Sequence, residues 1–130
     1  MGYNARRAAL VIIERFLRQM APFSLRTVDF SVLSLIRHNP GITSRQLCSV
    51  LSLLPPNLVG ILNTFESRGL IRRLPHPSDG RATGLHMTDA GHDLMDQAEK
   101  AATDLEEQSV AMLSPAERKT LLRLLKKIYQ

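Results

Sequence analysis

Apolar positions recur every three or four residues along most of this chain, the period of a helix with one buried face. Over residues 4–20 the stripe is Ala5, Ala9, Ile12, Phe16 and Met20, with Ile13 and Leu17 beside it, and Pro22 stops the run. A second helix is predicted over 27–38, with Thr27 as its cap and Phe30, Leu33 and Ile36 on its apolar side; Asn39-Pro40-Gly41 breaks it. Thr43-Ser44-Arg45-Gln46 has the spacing in which cap and third residue satisfy each other's backbone donors. It opens a short helix with Leu47, Val50 and Leu51 inward. After Ser52-Leu53-Leu54, Pro55 and Pro56 suit a first helical turn, where a missing N–H loses no intrahelical bond. Leu58, Ile61, Leu62 and Phe65 form the apolar face of that helix, and Gly69 stops it. Helix, three-residue turn, helix is the helix-turn-helix arrangement.

The period then shortens. Leu70-Ile71-Arg72-Arg73-Leu74 reads as a strand ended by Pro75, residues 76–84 as a turn-rich loop, and Leu85-His86-Met87-Thr88 as the return strand. Leu85 and Met87 face one side and His86 the other. Two strands alone are marginal, so the hairpin must lean on the helices. Thr88-Asp89 caps a long helix through about Leu113, with a thin heptad seam of Met95, Ala98, Ala102, Leu105, Ser109 and Met112. Ser114-Pro115-Ala116-Glu117 opens a last helix bearing Leu121, Leu122, Leu125, Ile128 and Tyr129. The expected fold is mainly α, with a small antiparallel wing of two to three strands.

Length and composition narrow the function. The chain has 130 residues, 44% apolar and 22% charged, which fits one folded domain. Its one cysteine allows no internal disulfide and no four-cysteine zinc site. None of His38, His76, His86 and His92 is paired at helical metal spacing, and neither H-E-x-x-H nor G-x-S-x-G occurs, so neither an enzyme nor a cofactor is expected. Aromatics at 5% without Trp disfavour a stacking platform for single strands. No apolar run approaches the roughly 18–20 residues of a membrane helix, and MGYNARRAAL lacks a signal-peptide layout. A cytoplasmic protein is expected. The net charge of +5 is uneven: +3 over 1–36, +4 over 37–87 and −2 over 88–130. The middle block holds six Arg and no Lys. Arg presents a planar fork suited to phosphate and guanine edges; the alternative is a solvated basic face.

This order of elements, with LRTVDFSVLSLI at 25–36, TSRQLCSVL at 43–51, NLVGILNTFESRGLIRR at 57–73 and SDGRATGLHMTDAG at 78–91, resembles the winged-helix regulators of the multiple antibiotic resistance regulator (MarR) family. GYNARRAA at 2–9 and LSPAERKTLLRLLKKI at 113–128 fit its terminal helices. The wing pattern D-x-R followed by T-x-x-G is the most specific piece. The resemblance implies a homodimer, with 1–24 and 88–130 as a helical dimerisation region and 25–87 as the winged helix-turn-helix domain. It implies a ligand-responsive repressor reading a pseudo-palindromic duplex, reading helices in major grooves and wings in minor grooves.

On that reading the helix from Pro55 enters the major groove, with Pro55 and Pro56 at its tip. Asn57 is the natural base contact, because an amide can pair bidentately with adenine. Asn63 and Thr64 can meet base or phosphate. Ser44 and Arg45 supply a hydroxyl, free N–H groups and a guanidinium for phosphate; Arg68 and Arg72 are further phosphate candidates. Arg81 at the wing tip enters the minor groove. Asp79 completes the wing indirectly: its charge is wrong for DNA, and it holds the loop by pairing with an Arg, with Arg73 the candidate. The chain departs from the family at Leu54, where a Ser cap is common, and at Pro55, Pro56, Val59 and Gly60 on the reading face. Thymine-methyl contact from Pro56 or Val59 and DNA shape then share the specificity. A small-molecule effector would sit near Phe16, Met20, Phe30 and Met95, residues equally suited to a core. The alternatives are a protein-binding winged helix and a redox sensor using Cys48, against a buried structural cysteine.

Overall fold

The structure, a computed structural model, describes residues 1–78 and 80–130. Its elements are α1 (Gly2–Met20), a 3-10 turn (Ala21–Phe23), α2 (Thr27–His38), β1 (Ile42–Thr43), α3 (Ser44–Leu51), α4 (Pro55–Ser67), β2 (Ile71–Pro75), β3 (Thr83–Met87), α5 (Asp89–Ser109) and α6 (Pro115–Tyr129). The strands form an antiparallel sheet in the order β1-β3-β2. Ile71 pairs with Met87 and Arg73 with Leu85, while Ile42 pairs with Leu85 from the other side. The chain bends by 118° between α3 and α4, within the roughly 90–120° of a helix-turn-helix.

One core serves all these layers. Met20, Leu33, Ile36, Leu47, Leu58, Leu62, Phe65, Leu85 and Met95 are buried together. The sheet has one face on this core, so Leu85 and Met87 are buried and His86 is only partly covered. The Thr43–Gln46 box forms as expected, with the Gln46 N–H donating to Thr43 Oγ1 at 3.3 Å and the Thr43 N–H to Gln46 Oε1 at 2.9 Å. Gly69 has φ +70°, the left-handed stop expected for α4.

Three local expectations are corrected. Thr27 is the first residue of α2, not its cap. Instead the Arg26 N–H donates to Asp29 Oδ2 at 2.9 Å, because a carboxylate three residues on reaches back to an orphan donor. Val50 is 63% exposed: α3 is so short that the core reaches Leu47, and Leu51 only partly. α5 ends at Ser109, so the seam stops at Leu105 and Ser109, and Met112 is 96% exposed beyond it. The sheet has three strands, within the expected two to three, because Ile42 and Thr43 lie along β3.

Two fastenings tie α5 to the rest. At its start, Thr88 Oγ1 donates to the Gly69 carbonyl at 2.6 Å and accepts from the Gly91 N–H at 3.0 Å. The Thr88 N–H donates to the Leu70 carbonyl at 3.0 Å. A Cβ on Gly91 would lie 2.1 Å from that same carbonyl oxygen, so only glycine lets the helix seat here. About two turns further along, Arg37 of α2 pairs with Asp96, lies 3.6 Å from Glu99 and donates to the His92 carbonyl at 3.2 Å. His38 joins Glu99 at 2.9 Å. By contrast, α6 has no buried residue, and Leu10, Ile12, Ile13 and Leu17 of α1 are exposed.

Gly91→Ala is expected to lower unfolding free energy by about 2–3 kcal/mol, because the clash is with backbone and cannot be relieved by a rotamer; a urea titration reads this as a lower midpoint. A second expectation concerns α6. The Ser114 N–H and hydroxyl each donate to Glu117 Oε2 at 2.8 Å, and the backbone bond first, then the hydroxyl, hold the Glu117 carboxyl below its ordinary pKa. A carboxyl depressed on folding stabilises above its unfolded pKa and loses that contribution as pH falls through the folded one. Protection of the first-turn amides of α6, taken as the exchange rate relative to the intrinsic rate at each pH, should therefore fall on acidification through that range, and Glu117→Gln should remove that fall.

Candidate nucleic-acid interface

α4 presents two chemically different sides. Leu58, Ile61, Leu62 and Phe65 are buried against the core, while Pro55, Pro56, Asn57, Val59, Gly60, Asn63 and Thr64 are exposed. Leu54 caps the helix without a side-chain bond, and Pro at the first two positions lowers the number of donors left to satisfy. No charged side chain occurs between Leu54 and Phe65.

Cations stand to either side. Between the start of α3 and the wing lies a groove of about 560 Å3 lined by Ser44, Arg45, Arg73 and Arg81 among others. Residues 36 apart in sequence thus share one concave surface, with free N–H groups of a helix start at its floor. On the opposite flank of α4, Asn57, Gly60 and Thr64 line a groove of about 450 Å3 with Arg26 and Arg68.

The arginines are not equally available. Arg68 donates to the Phe23 carbonyl at 2.7 Å and the Ser24 carbonyl at 3.2 Å, fastening α4 to the turn after α1. Arg73 pairs with Glu66 at 3.0 Å and donates to Asn63 Oδ1 at 3.2 Å. Arg26 grips Asp29 through Nε at 2.9 Å and Nη2 at 3.0 Å; that hydrogen bond, then the charge itself, raises the Arg26 pKa further above its ordinary value. Among the described residues, Arg45 and Arg72 have no protein partner.

The expected site residues divide accordingly. Ser44, Arg45 and Arg81 gather at one groove, and Asn57 and Thr64 at the other; Thr64 Oγ1 donates to the Gly60 carbonyl at 3.0 Å. Arg72 does not join the first groove: strand alternation places it opposite His86, on the other face from Arg73 and Leu85. Asp79 lies outside the described residues, and its candidate partner Arg73 is engaged by Glu66. Met20 and Met95 are wholly buried; Phe16 and Phe30 pack against that core and meet edge to face at 5.2 Å. Cys48 is half-buried against the core, in a small apolar cleft between α3 and α4. The Arg26–Asp29 pair was within reach of sequence reasoning as an i, i+3 pair before a helix. The Arg37 cluster was not, because its partners lie 55–62 residues away.

A helix-turn-helix beside a three-stranded wing, with the start of α3 and the wing bordering one cationic groove, defines a winged helix-turn-helix protein. The MarR family model matches residues 25–83. Over 131 aligned residues the chain is 31% identical to a protein assigned to regulation of the hcr operon in Thauera aromatica, covering 100% of this chain and 79% of that one. It is 31% identical to the multiple antibiotic resistance protein MarR of Escherichia coli, over 84% of this chain and 76% of that one. Among solved structures, the transcriptional repressor CouR bound to a 23-mer DNA duplex superposes with TM-score 0.91 at 37% identity, covering 100% of this chain and 92% of that one. A mutant of E. coli MarR complexed with operator DNA gives TM-score 0.88 at 28% identity, over 99% and 93%. The chain belongs to the MarR family of transcriptional regulators.

Exchanging individual arginines separates fastening from contact. Arg68→Ala should lower unfolding free energy by about 1 kcal/mol, since two exposed charge-assisted bonds are lost. Arg45→Ala should leave the urea midpoint unchanged, because no protein group depends on it.

Proposed function

We propose that this chain is a homodimeric, sequence-specific regulator of transcription, acting as a repressor on a pseudo-palindromic duplex. The observation that carries this reading is the single exposed surface made by a neutral reading helix and a flanking groove bearing Ser44, Arg45 and Arg81. Phosphate contacts set position and base contacts set sequence, and this surface offers both. CouR and a mutant of E. coli MarR, whose structures carry DNA, support duplex DNA as the partner. Ser44 and Arg45 hold phosphate, Pro55, Pro56, Asn57, Asn63 and Thr64 face the major groove, and Arg81 reaches the minor groove from the wing. Arg68 and Arg72 approach phosphate from the margins, Arg68 only if its hold on the Phe23 and Ser24 carbonyls is shared.

The division of labour follows from burial. Residues 25–87 form the DNA-binding unit, and 1–24 with 88–130 the helical dimerisation region. α6 has 15 residues and no buried side chain, and an isolated helix of roughly that length is marginal in water. Its exposed Leu121, Leu122, Leu125 and Ile128, with Leu10, Ile12 and Ile13 of α1, are the faces that a second copy covers. Two-fold symmetry then places two reading helices about 34–36 Å apart, one turn of duplex. A small-molecule effector meeting the half-exposed Phe16 and Phe30 acts by shifting the population of dimer spacings. The protein works in the cytoplasm, at the nucleoid when bound.

Selection from a random duplex pool tests this reading. A two-fold symmetric sequence with half-sites about 10–10.5 base pairs apart is expected. Arg81→Ala should weaken binding to every sequence and flatten the salt dependence by about one, and Asn57→Ala should cost about 1–3 kcal/mol at one base per half-site. An Arg81→Ala protein that matches wild type throughout a salt titration removes the wing from the interface.

A further inference from the structure

We infer that α4 reads its half-site chiefly through the 5-methyl groups of thymine, with Pro56 and Val59 as the contacting side chains. This rests on the DNA-binding reading above and names the chemistry it uses.

Pro56, Val59 and Asn63 are three and four residues apart, so they form one stripe along the exposed side of α4. Direct readout by hydrogen bonds needs Arg, Lys, Asn, Gln or an acid on such a stripe. On this stripe that is Asn63 alone, and its amide oxygen already accepts from Arg73; Asn57, beside Pro56 at the helix start, accounts for one hydrogen-bonded base per half-site. What remains is apolar: Val59 is 52% exposed, and Leu54 at the helix tip is 68% exposed. Gly60 lies beside Val59, and a Cβ there would meet nothing of this chain within 4 Å. Internal packing therefore does not require glycine, which costs about 1 kcal/mol in a helix. A bare backbone at this point lets the helix sit closer to whatever it faces.

Val59 also forms one wall of a cleft of about 290 Å3 between α3 and α4, with Pro55, Leu58 and Leu62. Arg45 and Arg73 border the same cleft, and no acidic residue lines it. Arg73 is held by Glu66, so the cleft offers an apolar floor with Arg45 at its rim, which matches a base that presents a methyl beside a phosphate. In the major groove that base is thymine, or cytosine methylated at C5. Uracil keeps every hydrogen-bonding group of thymine and lacks the methyl.

The probe is the duplex recovered by selection, with each thymine of a half-site replaced in turn by uracil. One or two positions per half-site should lose about fourfold in affinity, the worth of one buried methyl. Val59→Ala or Pro56→Ala should abolish that loss at its own position while leaving the salt dependence intact. Placing 5-methylcytosine where unmodified cytosine is weakly tolerated should restore affinity. Equal affinity for the thymine and uracil duplexes overturns the inference, as does a uracil penalty that is the same in wild type, Val59→Ala and Pro56→Ala. A selected half-site without thymine overturns it too. If no duplex is enriched at all, the DNA-binding reading fails and this inference fails with it.

Discussion

The seat of α5 on the end of α4 is the constraint through which the rest is oriented. Thr88 touches three parts of the chain at once: the Gly69 carbonyl at the end of the reading helix, the Leu70 carbonyl before β2, and the Gly91 N–H in the first turn of α5. None of these contacts is large in energy, since a net hydrogen bond contributes about 0.5–1.5 kcal/mol. Their effect is geometric. Gly91 has no side chain to hold the two segments apart, so the helix that leaves the winged unit does so at an angle set by backbone against backbone. The T-x-x-G at the end of the wing is therefore a joint, and its two named residues both meet the Leu70 carbonyl.

Formal charge overstates how much cation is available to a polyanion. Arg37 is engaged by Asp96 and Glu99, Arg73 by Glu66, and Arg68 by two carbonyls. Three of the six arginines that make the middle of the chain basic thus brace the fold. The rest of the basic surface is concentrated near the α3 start and the wing, beside a reading helix with no charge of its own between Leu54 and Phe65. On the proposed function, such a surface binds through its flanks and discriminates through its centre. The flanks contribute salt-dependent affinity by releasing counterions. The centre contributes contacts that are weak singly and depend on close approach.

Much of this was legible beforehand because helix ends are written locally. Thr43–Gln46, Ser114–Glu117, the Pro55–Pro56 start and the Gly69 stop each lie within a few residues of the backbone groups they satisfy. The failures have physical causes of the same scale. Thr27 matched a cap in type, but Arg26 with Asp29 satisfied the donors first. Met112 continued a periodicity that the backbone had already abandoned at Ser109. Val50 followed the helix period on a segment too short to bury it. For the candidate interface, the sequence named Ser44, Arg45, Asn57 and Arg81 but not which arginines were free. That depends on partners such as Glu66 and the Phe23 carbonyl, and on Asp96 and Glu99 some 59 and 62 residues from Arg37. Pairings across such separations leave no periodic trace.

The two fastenings on α5 also determine how a change at the dimer junction would travel. Thr88 holds its first turn to the end of α4, and Arg37 holds its middle to α2. The two points are about two turns apart along one helix, so rotation about either is opposed by the other. The winged unit therefore follows α5 as a body, because bending within it would break a packed core that includes Met95 and Ala98 of α5 itself. Beyond Leu105 that core ends, and α6 finds no cover within its own chain. In the proposed dimer, a shift in how two copies meet along α6 reappears as a shift in the separation of their reading helices, without any rearrangement of the reading face.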